Sequence, residues 1–200
     1  MFVTTFMSQH TQASPSQIKD MVGLLVGQQA SDRCALYRLD QDRTLSCLTV
    51  LTQDPVINSN TSIWNSHESG SYDLSPAKEG DRLNFQIRVN LSYCESETKK
   101  RKDWVRAYQS QQGLPSAQEA AIPAAEAWFA KRDLGFTVKV AQAKYAFVEF
   151  KHKGNTVSFP AYDLEGTLVI TDPLKFRNAV AKGIGREKAF GCGLLLTWPA

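Results

Sequence analysis

The last eighteen residues constrain this chain more than any other stretch. Gly183-Ile184-Gly185-Arg186-Glu187-Lys188-Ala189-Phe190-Gly191-Cys192-Gly193 runs directly into Leu194-Leu195-Leu196-Thr197-Trp198. Four glycines fall within those eleven positions. Glycine lets a backbone take positive φ and approach another group closely. Arg186 and Lys188 lie inside the loop, where both could reach a phosphate. The apolar run after it reads as a buried strand that closes a domain. Together they suggest a backbone clamp for an anion. The Lys-Ser/Thr ending of a P-loop is missing, which argues against a nucleoside triphosphate. On spacing alone, a sharp turn between a helix and a strand explains the loop equally well.

Upstream, the pattern alternates between strands and helices. Met1–Ser8 reads as a strand. Ser14-Pro15 marks a helix start, and Ile18, Met21, Val22, Leu25 and Val26 recur at helical spacing, which predicts a helix over 15–28. Cys34–Leu39 and Leu45–Thr52 read as strands joined by the polar turn Asp40-Gln41-Asp42-Arg43. Residues 54–80 are rich in Asn, Ser, Asp and Pro and predict at most a short helix around Ile63–Ser66. Arg82–Val89 alternates, with Leu83, Phe85, Ile87 and Val89 on one face. The order β-α-β-β-(α)-β is ferredoxin-like.

Cys94–Leu114 is polar, carries Lys99-Lys100-Arg101-Lys102, and reads as a mobile connector. Ser116–Arg132 predicts a helix with Ala120, Ala124, Ala127 and Trp128 inward, a capping box at Ser116 and Glu119, and Gly135 as its stop. Phe136–Ala141 and Tyr145–Phe150 are strands, followed by the basic turn Lys151-His152-Lys153-Gly154-Asn155 and a return at Thr156–Phe159. Glu165–Ile170 is a strand, Pro173–Lys182 a helix and Gly193–Trp198 the last strand. The expected fold is α+β: two tandem ferredoxin-like (RRM-like) domains. The N-terminal domain is expected over 1–92, a basic polar connector over 93–115, and a C-terminal domain over 116–200.

Cysteine and histidine usage narrows the chemistry. Cys34, Cys47, Cys94 and Cys192 are scattered without a Cys-x-x-Cys pair, which argues against a zinc site or a disulfide framework. His10, His67 and His152 are also dispersed, so no metal and no cofactor is expected. There is no apolar run long enough to span a membrane and no signal-like N-terminus, so a cytoplasmic protein with no membrane partner is expected. The net charge of +3 hides an asymmetry: residues 1–92 sum to −2 and residues 93–200 to +5. A basic C-terminal half suits a polyanion, although ordinary solvated surface accounts for it too.

Leu164-Glu165-Gly166, a strand, Asp172-Pro173, a helix to Lys182 and then the glycine loop form a combination that resembles the C-terminus of the CasE family. These are CRISPR RNA-processing endoribonucleases of type I-E systems, found also with some type IV systems. The likeness is strong over roughly the last 40 residues and weak but collinear over the rest. It implies tandem ferredoxin-like domains and binding of a CRISPR RNA repeat hairpin. It implies cleavage at the 3′ base of the stem, and retention within a crRNA-guided effector complex beside a backbone subunit. Target DNA would be met only indirectly.

The resemblance also assigns residues. A basic hairpin holds the repeat stem-loop in this family, a role that falls on Lys151 and Lys153. The loop, through Arg186, Lys188 and backbone N–H groups at Gly183, Gly185, Gly191 and Gly193, would contact the RNA backbone near the base of the stem. Phe190 could stack on a base, and Lys99–Lys102 with Trp104 and Tyr108 could follow single-stranded RNA. Family members place a catalytic His on the first helix, a few residues before a Gly. Here Gly23 occupies that Gly and Met21 the His position, and methionine transfers no protons. His10 and Lys19 are the replacement candidates, with His152, Lys144 and Tyr145 behind them. The family's Arg-x-Asn-Pro strand end appears as Arg88-Val89-Asn90-Leu91. A non-catalytic stem-loop-binding cap subunit is the alternative reading.

Overall fold

The computed structural model describes residues 1–9, 18, 22–23, 36–41, 44–56, 64–94, 101–152 and 154–200. Contacts group the chain into two compact units that interleave in sequence. The first comprises Met1–Pro76, Glu149–Ser158 and Ala181–Leu194; the second comprises Ala77–Val148, Phe159–Val180 and Leu195–Ala200.

The first unit is built on a sheet of β1 (Phe2–Ser8), β2 (Leu36–Gln41), β3 (Ser46–Thr52) and β4 (Asn65–Ser71), in the order β2-β3-β1-β4. β1 runs antiparallel to both β3 and β4. Its central place follows from its side chains: Thr4, Phe6 and Ser8 are buried in alternation. Phe6, Leu48, Val50, Tyr37, Leu39 and Trp64 close one core with Ile18 and Val22. Val22 and Gly23 are helical, as the spacing predicts, and the rest of 15–28 lies almost entirely outside the described residues.

β4 is a correction to the sequence reading, which placed no strand in 54–80 and a short helix near Ile63–Ser66. Its sequence, NSHESGS, has no apolar alternation. Ladder hydrogen bonds do not depend on side-chain type, and an edge strand needs only one partner. Here that partner is β1, and Thr4 Oγ1 and Ser69 Oγ lie 3.0 Å apart across the pair.

The second unit holds the other four-stranded sheet, ordered β10-β5-β9-β8. Its strands are β5 (Arg82–Val89), β8 (Phe136–His152), β9 (Asn155–Ile170) and β10 (Leu195–Pro199), of which β8 and β9 run on into the first unit at their hairpin. Arg82–Val89, expected as the last strand of the first domain, is therefore the second strand of this sheet. The alternation was legible, but the choice of partner was not. Its ladder runs antiparallel to β9 and β10. The two sheets share one strand order, outer-inner-inner-outer as fourth, first, third and second in chain order, which is the ferredoxin-like arrangement.

The expected connector 94–114 contains the short hairpin β6 (Ser92–Cys94) and β7 (Arg101–Asp103), then helix α1 (Trp104–Gln112). α1 forms because Asp103 caps it, accepting from the Val105 and Arg106 N–H groups, and Gly113 ends it at φ 65°. Helix α2 (Ala117–Ala130) carries Ser116 as N-cap and buries Ala120, Ala124 and Trp128. It stops before Gly135, which does a different job. A Cβ at Gly135 would sit 2.4 Å from the Asp172 carbonyl oxygen, so glycine lets two backbones meet there. Helix α3 (Pro173–Lys182) starts as predicted, with Asp172 Oδ1 accepting from the Leu174 and Lys175 N–H groups. The paired strand segments expected at 136–150 and 156–170 are instead two long strands.

Candidate nucleic-acid interface

The glycine loop is held on β2. Leu36, Tyr37, Arg38 and Leu39 are all buried, although successive strand residues point to opposite faces. Such a strand must be covered on both sides. Tyr37 and Leu39 enter the core, and the loop supplies cover at Leu36 and along Tyr37. A Cβ at Gly183 would lie 2.6 Å from Leu36 Cδ2, and one at Gly191 would lie 3.3 Å from Tyr37 Cε2. The Tyr37 hydroxyl donates to the Ala189 carbonyl at 2.8 Å. Sequence reasoning missed Tyr37. Its partner is about 150 residues away along the chain, so nothing local could reveal it.

Within the loop the backbone doubles on itself. Gly183, Gly185, Gly191 and Gly193 all have positive φ, and so does Glu187 at 57°. Ile184 N–H donates to the Gly193 carbonyl at 2.9 Å, and Phe190 and Cys192 N–H groups both donate to Glu187. One 3₁₀ turn, Lys188–Phe190, lies between them. Those amides are spent inside the loop. The Gly185 and Arg186 amides make no hydrogen bond among the described residues, and the Arg186 side chain is exposed. A guanidinium beside two consecutive amide donors is suited to an anionic oxygen.

Lys188 is placed differently. It is half-buried, and its ammonium donates 2.9 Å to the Lys182 carbonyl and 3.5 Å to that of Gly183. Those carbonyls end α3, where a cation offsets the negative end of the helix. Lys188 therefore holds the loop to the helix end, with part of its donor capacity left for a ligand. Phe190 is half-buried as well.

At the hairpin, Lys151 and Gly154 are exposed, and Gly154 turns the chain at φ 80°. Lys153, His10, Lys19, Met21, Lys99 and Lys100 lie outside the described residues, as does the side chain of His152. The structure thus brings Gly183, Gly185, Arg186, Lys188, Gly191 and Gly193 into one loop. Lys151 and that loop both fall in the first unit. Arg88 donates through Nε and Nη2 to the two carboxylate oxygens of Asp163, at 2.7 and 2.8 Å, a bidentate lock across β5 and β9. Among the described residues no three His, Cys, Asp or Glu groups could hold a metal ion, and no helix is long and apolar enough to cross a membrane.

Several solved structures share this fold over the full length of both chains. One described as CRISPR endoribonuclease Cse3 bound to 19 nt RNA is 22% identical, with a TM-score of 0.76, and covers 100% of each chain. A chain of a CRISPR RNA-guided surveillance complex is 21% identical, with a TM-score of 0.76, also over 100% of each. The CRISPR-associated protein Cas6e from Escherichia coli str. K-12 is 17% identical, with a TM-score of 0.64 over 100% of each. No curated protein sequence matches. The sequence does match the family described as CRISPR associated protein, from residue 4 to residue 199. That span takes in both sheets, the basic hairpin and the glycine loop, and by it this chain belongs to the family of CRISPR associated proteins.

Proposed function

We propose that this protein is a CRISPR RNA-processing endoribonuclease that binds the repeat stem-loop, cuts at its 3′ base and stays bound to the product. The observation that carries the reading is the glycine loop. It is pinned to β2 through Tyr37 and Leu36, leaves Arg186 exposed and, among the described residues, leaves the Gly185 and Arg186 amides without a hydrogen bond. A-form RNA is held mainly through phosphates and shape, which such donors suit. Lys151 and Lys153 on the hairpin would press on the stem. The relatives' descriptions, one bound to RNA and one within a surveillance complex, support the same role here, next to a backbone subunit of a crRNA-guided complex.

The chemistry proposed is metal-independent. A base takes the proton of the 2′-OH at the scissile position, and that oxygen attacks phosphorus. The P–O5′ bond breaks, and an acid returns a proton to the leaving 5′-oxygen. Cations stabilise the dianionic phosphorane between these steps. The products carry a 2′,3′-cyclic phosphate and a 5′-OH. His10 is the proposed proton-transfer group, since its ordinary pKa suits the task, and Lys19 the proposed charge stabiliser.

A second reading has its own observation. Met21 stands where the resemblance places the catalytic histidine. It makes the protein a non-catalytic cap that binds the stem-loop without cutting it. The two are separated by incubating the cognate repeat RNA in EDTA, with a 2′-deoxy substitution at the scissile position as control. Cleavage abolished by the deoxy substitution, and slowed by His10→Ala, is the expected result. Tight binding without cleavage selects the cap.

A further inference from the structure

Two large aromatic side chains stand in solvent on β8. Tyr145 is 52% exposed and Phe147 57%. They are two residues apart on one strand, so they leave the same face. They are not core residues that failed to pack, because this unit closes a dense aromatic core elsewhere. Phe129 meets Phe85 and Phe136, and Phe136 meets Phe176, with ring centroids 5.8 to 6.2 Å apart. β8 is also the outer strand of its sheet.

Tyr145 is anchored. The Tyr145 ring meets the Tyr162 ring at 5.4 Å and 75°, and Tyr162 is buried. The charges of Asp103 and Arg106, at the start of α1, both reach the Tyr162 phenol. Asp103 is committed to capping α1, whereas the Arg106 side chain is exposed. The patch is thus two exposed rings, Tyr145 braced by Tyr162, in the same unit as the exposed Arg106 guanidinium. Rings for base faces and a cation for the backbone are what unpaired nucleic acid takes.

Spacing narrows the ligand further. Side chains at i and i+2 on a strand are about 7 Å apart. Stacked nucleotides rise only about 3.4 Å per step along a strand. Two neighbouring bases can therefore cover both rings only when they are splayed, which a duplex forbids. Ring faces that stack on bases and a cation for the phosphate together suit RNA.

We propose that Tyr145 and Phe147 form a stacking platform for unpaired nucleotides flanking the RNA stem, with Arg106 on their phosphate. The proposal rests on the stem-loop reading above and adds a contact for the RNA's unpaired nucleotides.

The test compares two probes, a blunt repeat hairpin and the same hairpin with a short single-stranded flank at each end. Wild type, Tyr145→Ala/Phe147→Ala and Phe147→Trp are measured by fluorescence anisotropy. The flanks carry a fluorescent adenine analogue that is quenched on stacking. The double variant should lose about thirtyfold or more in affinity for the flanked probe and nothing for the blunt one. Phe147→Trp should keep both the affinity and the quenching. Equal loss on both probes, or no loss on either, overturns the platform while leaving stem-loop binding intact. If wild type binds neither hairpin, the stem-loop reading has failed instead. A labelled oligouridylate then decides the platform: binding lost in the double variant sustains it, and binding that persists or never occurs overturns it.

Discussion

Gly193→Ala tests whether the glycine loop depends on close approach or only on flexibility. Gly193 has φ 86°, and a Cβ there would lie 2.7 Å from the Ile184 carbonyl oxygen and 3.0 Å from Lys188 Cγ. Positive φ alone costs a non-glycine residue about 1–2 kcal/mol. The carbonyl is main chain and cannot swing aside as a rotamer. Relief requires moving Ile184, whose N–H donates to the Gly193 carbonyl at 2.9 Å. Losing that bond adds about 1 kcal/mol, for a total near 3 kcal/mol. Gly154 is the control, because it has φ 80°, a Cβ there would meet nothing within 4 Å, and it lies in the same unit. Gly154→Ala should show the φ cost alone. Urea unfolding followed by far-ultraviolet circular dichroism reads both. Equal losses for the two variants would refute the reasoning and show that the loop relaxes around an added methyl.

The remaining expectations concern three side chains. Tyr37→Phe removes the hydroxyl that donates to Ala189 and should cost about 1 kcal/mol in urea unfolding, with weaker binding of the repeat hairpin. Unchanged hairpin affinity would show that the loop stays in place without that bond. Lys151→Ala should weaken hairpin binding and lower the slope of log affinity against log salt by about 1, and an unchanged slope would remove Lys151 from the interface. Burial, then the Asp103 charge, pushes the Tyr162 phenol well above its ordinary range. The unfolded chain loses this proton near pH 10 while the folded chain keeps it. Tyr162 thus contributes stability that is fully present below pH 10 and falls by up to about 1.4 kcal/mol per unit above it. Tyr162→Phe should flatten that part of the pH profile, and identical profiles would place the ionisation elsewhere.

Local signals carried much of the architecture. The cap at Ser116 was readable because it satisfies an amide within three residues, and the helix start at Pro173 was readable as well. The α+β class was readable from strand and helix alternation, and the tandem ferredoxin-like arrangement came with the family resemblance. The strand at Asn65–Ser71 was hidden because it has no apolar face. The helix at Trp104–Gln112 was hidden because its polar surface and the Lys-Arg run before it resemble a solvated connector. For the candidate site, the loop's glycines and its cations were legible as residue types. Their division of labour was not, since Lys188 turns back to the end of α3 while Arg186 stays exposed.

The sequence by itself determined the elements whose causes lie within a few residues: caps, turns, alternating faces and the glycine positions that demand positive φ. It also determined the family, through a motif that runs from Leu164 to Leu195. Tertiary structure alone decided that Arg82–Val89 pairs with β9 and β10 and that the glycine loop lies on β2. Both depend on which distant surfaces meet. Strand pairing uses backbone groups common to all residues, and the seat for the loop is shaped by Leu36 and Tyr37. Neither leaves a trace in the spacing of the residues that use it.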